Sequence, residues 1–101
     1  MLKQKERKKM KVYICGHSYE VVEVEDTFDV DSTHFGTIDY KKEVIYINKN
    51  MTAEMKEETV IHEMVHGILF HIGQDEKSQD EQFVQALANA IYLTNTKQRG
   101  E

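Results

Sequence analysis

The run Glu57-Glu58-Thr59-Val60-Ile61-His62-Glu63-Met64-Val65-His66-Gly67-Ile68-Leu69-Phe70 leaves this chain few ways to fold. Met55, Val60, Ile61, Met64, Val65, Ile68, Leu69 and Ile72 recur at helical spacing, which predicts a helix from Ala53 to about Ile72 with a wide apolar face. Thr52 is a good N-cap for it. Glu54, Glu57 and Glu58 complement the positive end of the helix dipole, and Gly73 offers a left-handed stop. Gly67 is the exception inside this pattern. It costs about 1 kcal/mol relative to Ala in a helix interior, so tight packing beside His66 or tolerance near a site is implied.

Within that helix, His62-Glu63-Met64-Val65-His66 is a His-Glu-x-x-His pattern. Residues four apart lie one turn above each other, so both imidazoles can aim at one metal ion. Glu63 sits about 100° round the axis from His62, placed to address a water on that ion without displacing it. This is the arrangement of a zinc-activated hydrolytic water with a carboxylate base beside it. The bland alternative, two helical histidines beside a surface glutamate, has to explain three residue types at fixed offsets.

A catalytic zinc site needs a third protein ligand. His71, Asp75, Glu76, Asp80 and Glu81 follow downstream. His71 lies two and a half turns beyond His62 and faces away on a regular helix. A second helix is expected from Gln79 to about Asn95, with Phe83, Val84, Leu87, Ala88, Ile91 and Tyr92 on one side, after a loop from Gln74 to Lys77. Glu81 falls on its apolar side, where an unpaired carboxylate is costly and a metal would remove that cost. Its competing role is a capping box with Ser78, while Asp80 and Glu76 are rival ligands that a loop can bring in. Tyr92, Tyr46 and His34 are candidate donors to a developing oxyanion, each with an ordinary packing or surface role as the alternative.

Ahead of the helices the pattern is β-like. Val12 to Cys15 and Tyr19 to Glu25 read as two short strands joined near Gly16-His17-Ser18, with Cys15 as a small buried hydrophobe. The adjacent Val21 and Val22 break strict alternation and suggest a bulge or register change. Residues 26–36 read as a loop with Phe28 and Phe35 as anchors, and the aspartates there lack the EF-hand order that calcium would need. Thr37 to Tyr40 and Val44 to Ile47 form a predicted hairpin bending at Tyr40 to Glu43. If Val44 to Ile47 is an exposed edge, an extended peptide can add to it.

The 101 residues argue for one domain over 11–95, with a basic tail at 1–10 and a frayed end at 96–101. Residues 1–11 carry six Lys/Arg against one Glu, net +5; the remainder carries seven against seventeen acidic residues, net −10. An acidic body is a poor nucleic-acid surface, which makes that partner class unlikely. One cysteine excludes an intrachain disulfide and Cys-based zinc fingers, and fits a reducing cytosol. No secretory h-region and no membrane-length apolar run are present, so a cytoplasmic protein with no membrane partner is expected.

The pattern His62-Glu63-Met64-Val65-His66, followed by Glu81-Gln82-Phe83-Val84 and Leu87-Ala88, resembles the ImmA/IrrE-like zinc metallopeptidases of phages, integrative elements and bacterial stress regulators. The likeness spans roughly residues 36–93. It implies His62, His66 and Glu81 as zinc ligands, Glu63 as catalytic base, and limited proteolysis of a cytosolic regulatory protein such as a transcriptional repressor. Val84-Gln85 stands where many relatives carry Ala-Asn, and the interval from His66 to Glu81 is short. The expected fold class is α+β, a small antiparallel β-sheet packed against the active-site helix and the ligand-bearing helix after it. The alternative function is a non-catalytic zinc-stabilised interaction protein of a phage or mobile element.

Overall fold

The structure, a computed structural model, describes residues 10–25 and 35–98. The expectations for most of the basic tail, for Phe28 and the aspartates of the 26–34 segment, and for 99–101 lie outside the described residues. Strand β1 (Met10–Ile14) turns through Cys15-Gly16 into β2 (His17–Val24). Cys15 and Gly16 have φ of 51° and 84°, the positive values that both centre residues of a type I′ hairpin turn require. Cys15 is therefore an exposed turn residue and not the buried strand residue expected of it. His17 and Ser18, read from sequence as breakers, already pair with Ile14 and Tyr13.

The register from Met10↔Val21 to Ile14↔His17 is continuous. No bulge is needed at the adjacent valines. Val21 points into the core and Val22 lies half-buried on the other face of an inner strand, so both positions favour an apolar side chain.

Strand β3 (Gly36–Asp39) and β4 (Val44–Asn48) form the second hairpin, bending at residues 40–43 as the sequence predicts. The Lys-Lys pair at its tip is held by Asp39, whose Oδ1 accepts from the backbone N–H of Lys41 and of Lys42 at 3.0 and 2.9 Å. Glu43 closes the turn at φ 57°.

The sheet order is β1-β2-β4-β3, and β4 runs parallel to β2 from Glu20↔Val44 to Val24↔Asn48. The sheet is mixed, which corrects the expected all-antiparallel arrangement. The cause lies in β4 itself: its Ile45 and Ile47 are almost wholly buried, and the interior position beside β2 removes both of its edges from solvent. The shorter and more polar β3 takes the edge, so the strand open to an added peptide is β3 and not β4.

Helix α1 (Ala53–His71) begins where Thr52 Oγ1 accepts the Met55 N–H at 3.1 Å. It ends in a Schellman arrangement: Gln74 N–H donates to Leu69 O at 2.7 Å, Gly73 N–H donates to Phe70 O at 3.1 Å, and Gly73 has φ 78°. The expected loop after it contains a four-residue helix, α2 (Asp75–Ser78). Helix α3 (Glu81–Gln98) follows. Asp80 Oδ1 accepts the Phe83 N–H at 3.2 Å and caps this helix, so the Ser78–Glu81 capping box does not form. The helix also continues past Asn95. Among the described residues, no helix is long and apolar enough to cross a membrane.

The core has two parts with α1 between them. Val60 joins Ile14, Tyr19, Val21, Ile45 and Ile47 on the sheet side, while Val65 and Leu69 pack with Val84 and Ala88 of α3. Gly67 faces the sheet where a Cβ would stand 2.9 Å from Ile14 Cδ1 and 3.2 Å from Ile38 Cδ1; close packing explains the glycine in mid-helix. Gly36 does the same from the strand side, since a Cβ there would stand 2.7 Å from Thr59 Cγ2 and 3.1 Å from the Tyr46 carbonyl oxygen. These two glycines set how closely α1 and β3 approach.

Gly36→Ala is expected to lower stability by about 1–3 kcal/mol through overpacking. The loss should be smaller in a Thr59→Ser background, which removes the clashing methyl while keeping the hydroxyl. Urea unfolding of the four proteins of this cycle checks both statements; equal losses in the two backgrounds would show that Thr59 does not limit the approach.

Candidate metal centre

The faces of α1 determine where its polar residues go. Val60, Glu63 and Gly67 fall on the sheet side, Ile61, Val65 and Leu69 on the α3 side, and His62 and His66 lie on the seam between them. The seam opens into a cleft of about 660 Å³ between β3, α1 and the start of α3. Phe35, Ile38 and Met55 contribute apolar walls, and Glu58, Glu63, Glu81, His62 and His66 contribute ionisable ones.

Glu81, the first residue of α3, reaches across this seam. Its Oε1 lies 3.1 Å from His62 Nε2 and its Oε2 lies 3.1 Å from His66 Nε2. Each of the three residues offers one ligand atom, and these atoms lie within 4.8 Å of one another. Neither rival from the sequence joins them: Asp80 is engaged as the α3 cap, and Glu76 sits exposed on α2. His71 points to the opposite side, stacked on His17 at 4.3 Å between ring centroids and 2.7 Å from the Tyr19 hydroxyl.

The donor set fits a zinc ion. Bonds of about 2.0–2.1 Å in tetrahedral order put neighbouring ligand atoms about 3.3 Å apart, close to both spacings seen here. The hydrogen bonding points the same way. His66 Nδ1 lies 3.1 Å from Ser78 Oγ, and with a hydrogen on Nδ1 the neutral ring turns a lone pair on Nε2 towards a carboxylate oxygen. Two acceptors this close need a positive charge between them, whether proton or metal. Burial, outweighing the attraction of Glu81, pushes His66 below the usual histidine range. That favours the neutral, ligating form of the ring.

Glu63 is 6% exposed. Burial first, and the Glu81 charge second, push its carboxyl up to about 8. A divalent cation beside it acts in the opposite direction, so the residue suits a proton-accepting role only in company with one.

The oxyanion candidates are rearranged. Tyr92 donates to Glu54 Oε2 at 3.3 Å outside the cleft. Tyr46 alternates with the buried Ile45 and Ile47, which sends it to the other face of the sheet. His34 lies outside the described residues. Tyr40, which the sequence reading passed over as a turn residue, lines the cleft instead, with its O–H donating to the His66 carbonyl at 3.4 Å. Ser78 was likewise missed, because its local spacing matched a cap. No local signal marks either residue, since each meets His66 only through the tertiary fold.

No curated protein and no solved structure matches this chain significantly. A family model described as the IrrE N-terminal-like domain, a peptidase family, matches residues 11–95, a span that takes in β1 to α3 and every residue placed at the cleft. The chain belongs to the IrrE N-terminal-like domain family.

Proposed function

We propose that this protein is a zinc-dependent peptidase whose metal is held by His62, His66 and Glu81 and whose general base is Glu63. The observation that carries this reading is the Glu81 carboxylate, with one oxygen 3.1 Å from each imidazole Nε2 in a cleft that also contains Glu63. When bound, zinc would supply Lewis-acid polarisation of a peptide carbonyl and would lower the pKa of a water beside it towards ~7. Glu63 takes the proton from the attacking water and passes it to the departing amine. It sits on the sheet-facing side of α1, packed beneath the Gly36 backbone.

The substrate chain lies along β3. Of the two edge strands, β1 and β3, it is β3 that lines the cleft, so an extended peptide gains backbone hydrogen bonds while passing the histidines. Phe35 and Met55, both partly exposed at the same cleft, take an apolar substrate side chain. The target class is a cytosolic regulatory protein such as a transcriptional repressor, in keeping with the resemblance of the motif residues. The catalytic unit is residues 11–95, and the acidic surface disfavours nucleic acid as a partner.

A second reading, a non-catalytic zinc-stabilised interaction protein, draws on one observation. Val84, Ala88 and Ile91 pack α3 against α1, and a cation shared by Glu81, His62 and His66 would tie the first turn of α3 to the same helix.

Wild-type protein is expected to bind one zinc per chain, and zinc at about 100 times its Kd should stabilise the fold by about 2.7 kcal/mol. Glu81→Ala should abolish stoichiometric zinc and that stabilisation, whereas His71→Ala, Glu76→Ala and Asp80→Ala should still load. Metal analysis and thermal unfolding with and without chelator check this; a Glu81→Ala protein with full zinc content removes Glu81 from the ligand set.

Glu63→Gln should retain zinc while hydrolysis of a mixed peptide library falls by about 10²–10⁴-fold. Undiminished turnover would exclude Glu63 as the base. Stoichiometric zinc with no hydrolysis by the wild type would favour the interaction-protein reading.

A further inference from the structure

His66 is gripped on both sides. Its Nε2 faces Glu81, and its Nδ1 lies 3.1 Å from Ser78 Oγ. A serine oxygen can accept from an imidazole N–H, so this contact suits the tautomer with its hydrogen on Nδ1. On the main-chain side, the Tyr40 O–H donates to the His66 carbonyl at 3.4 Å, and the Tyr40 ring is stacked on Phe70 of α1 at 3.9 Å.

Resting on the metallopeptidase reading above, we propose that Ser78, whose Oγ lies 3.1 Å from His66 Nδ1, is the positioning residue that turns His66 Nε2 towards the cation. A neutral imidazole has one donor nitrogen and one acceptor nitrogen, and only the acceptor can ligate. By accepting from Nδ1, Ser78 leaves the lone pair on the nitrogen that faces Glu81 and holds the ring plane in the cleft. The short helix α2 then has a specific role: it ends at Ser78 and delivers that hydroxyl to the side of His66 away from the metal ligands.

Ser78→Ala is expected to weaken zinc binding by about 10- to 100-fold, measured by chelator competition, with unchanged helix content in the metal-free protein. Ser78→Thr, which keeps the hydroxyl, should bind within about twofold of wild type. In the zinc-loaded wild type, nitrogen-resolved NMR should show zinc on His66 Nε2 and a His66 Nδ1–H protected from solvent exchange. In Ser78→Ala that proton should exchange rapidly while the His62 ring signals stay in place. Equal zinc affinity in wild type and Ser78→Ala, or zinc found on His66 Nδ1 in the wild type, overturns the proposal. The NMR observation on the wild type needs no variant to fold. A wild type that takes up no zinc removes the reading on which this role rests, whereas tight zinc binding unaltered by Ser78→Ala removes the positioning role alone.

Discussion

The structure depends on α1 being sandwiched, with a sheet along one side and α3 along the other. At 3.6 residues per turn, a helix buried on two faces keeps only a narrow seam for polar groups. In this chain the seam carries His62 and His66, and the neighbouring buried position carries Glu63. Everything that forms the site follows from how closely the two layers approach. Gly67 lets Ile14 and Ile38 press against α1, and Gly36 lets β3 run beside Thr59 and Glu63. A larger residue at either place would widen the cleft from the sheet side, without touching any residue that faces a ligand.

Glu63 shows what that close approach does chemically. A carboxyl 6% exposed in a protein of this size is unfavourable as an anion, and its rise to about 8 expresses that cost. The residue is acceptable to the fold either as a neutral acid or beside a cation. The same cleft brings together three side chains that could hold a cation, and a cation there would favour the ionised carboxyl. Burial, which weakens the core slightly, is here the source of the function proposed for the residue.

What was legible in the residues were features set by local chemistry. The His62-Glu63-x-x-His66 spacing, the Thr52 cap, the Gly73 stop and the hairpin bend at 40–43 all rest on interactions within a few positions of each other. Glu81 could also be singled out, because an acid on the apolar side of a helix needs a reason. The features that escaped are those decided by distant partners. Parallel pairing of β2 with β4 depends on which strand gains most from an interior place, and nothing within Val44–Asn48 says which neighbour it will find. Cys15 lies next to a strand in sequence, yet the two-residue turn needed by Ile14 and His17 expels it. Ser78 and Asp80 are both good caps by type; the helix selected Asp80 and left Ser78 for His66.

That last choice explains the shortness of the connection between the two long helices. From Gly73 onward the chain must reverse direction, and it must also reach His66 from two sides. A four-residue helix followed by a capped helix start does both: Ser78 arrives at Nδ1 and Glu81, three residues later, arrives at Nε2. The first turn of α3 is capped by Asp80 and also carries Glu81 to His62 and His66. A longer connection could still reverse the chain, but it would uncouple the hydroxyl from the carboxylate, and the two contacts on the imidazole would no longer come from one short segment. Compactness between α1 and α3 is therefore a property of the site as much as of the fold.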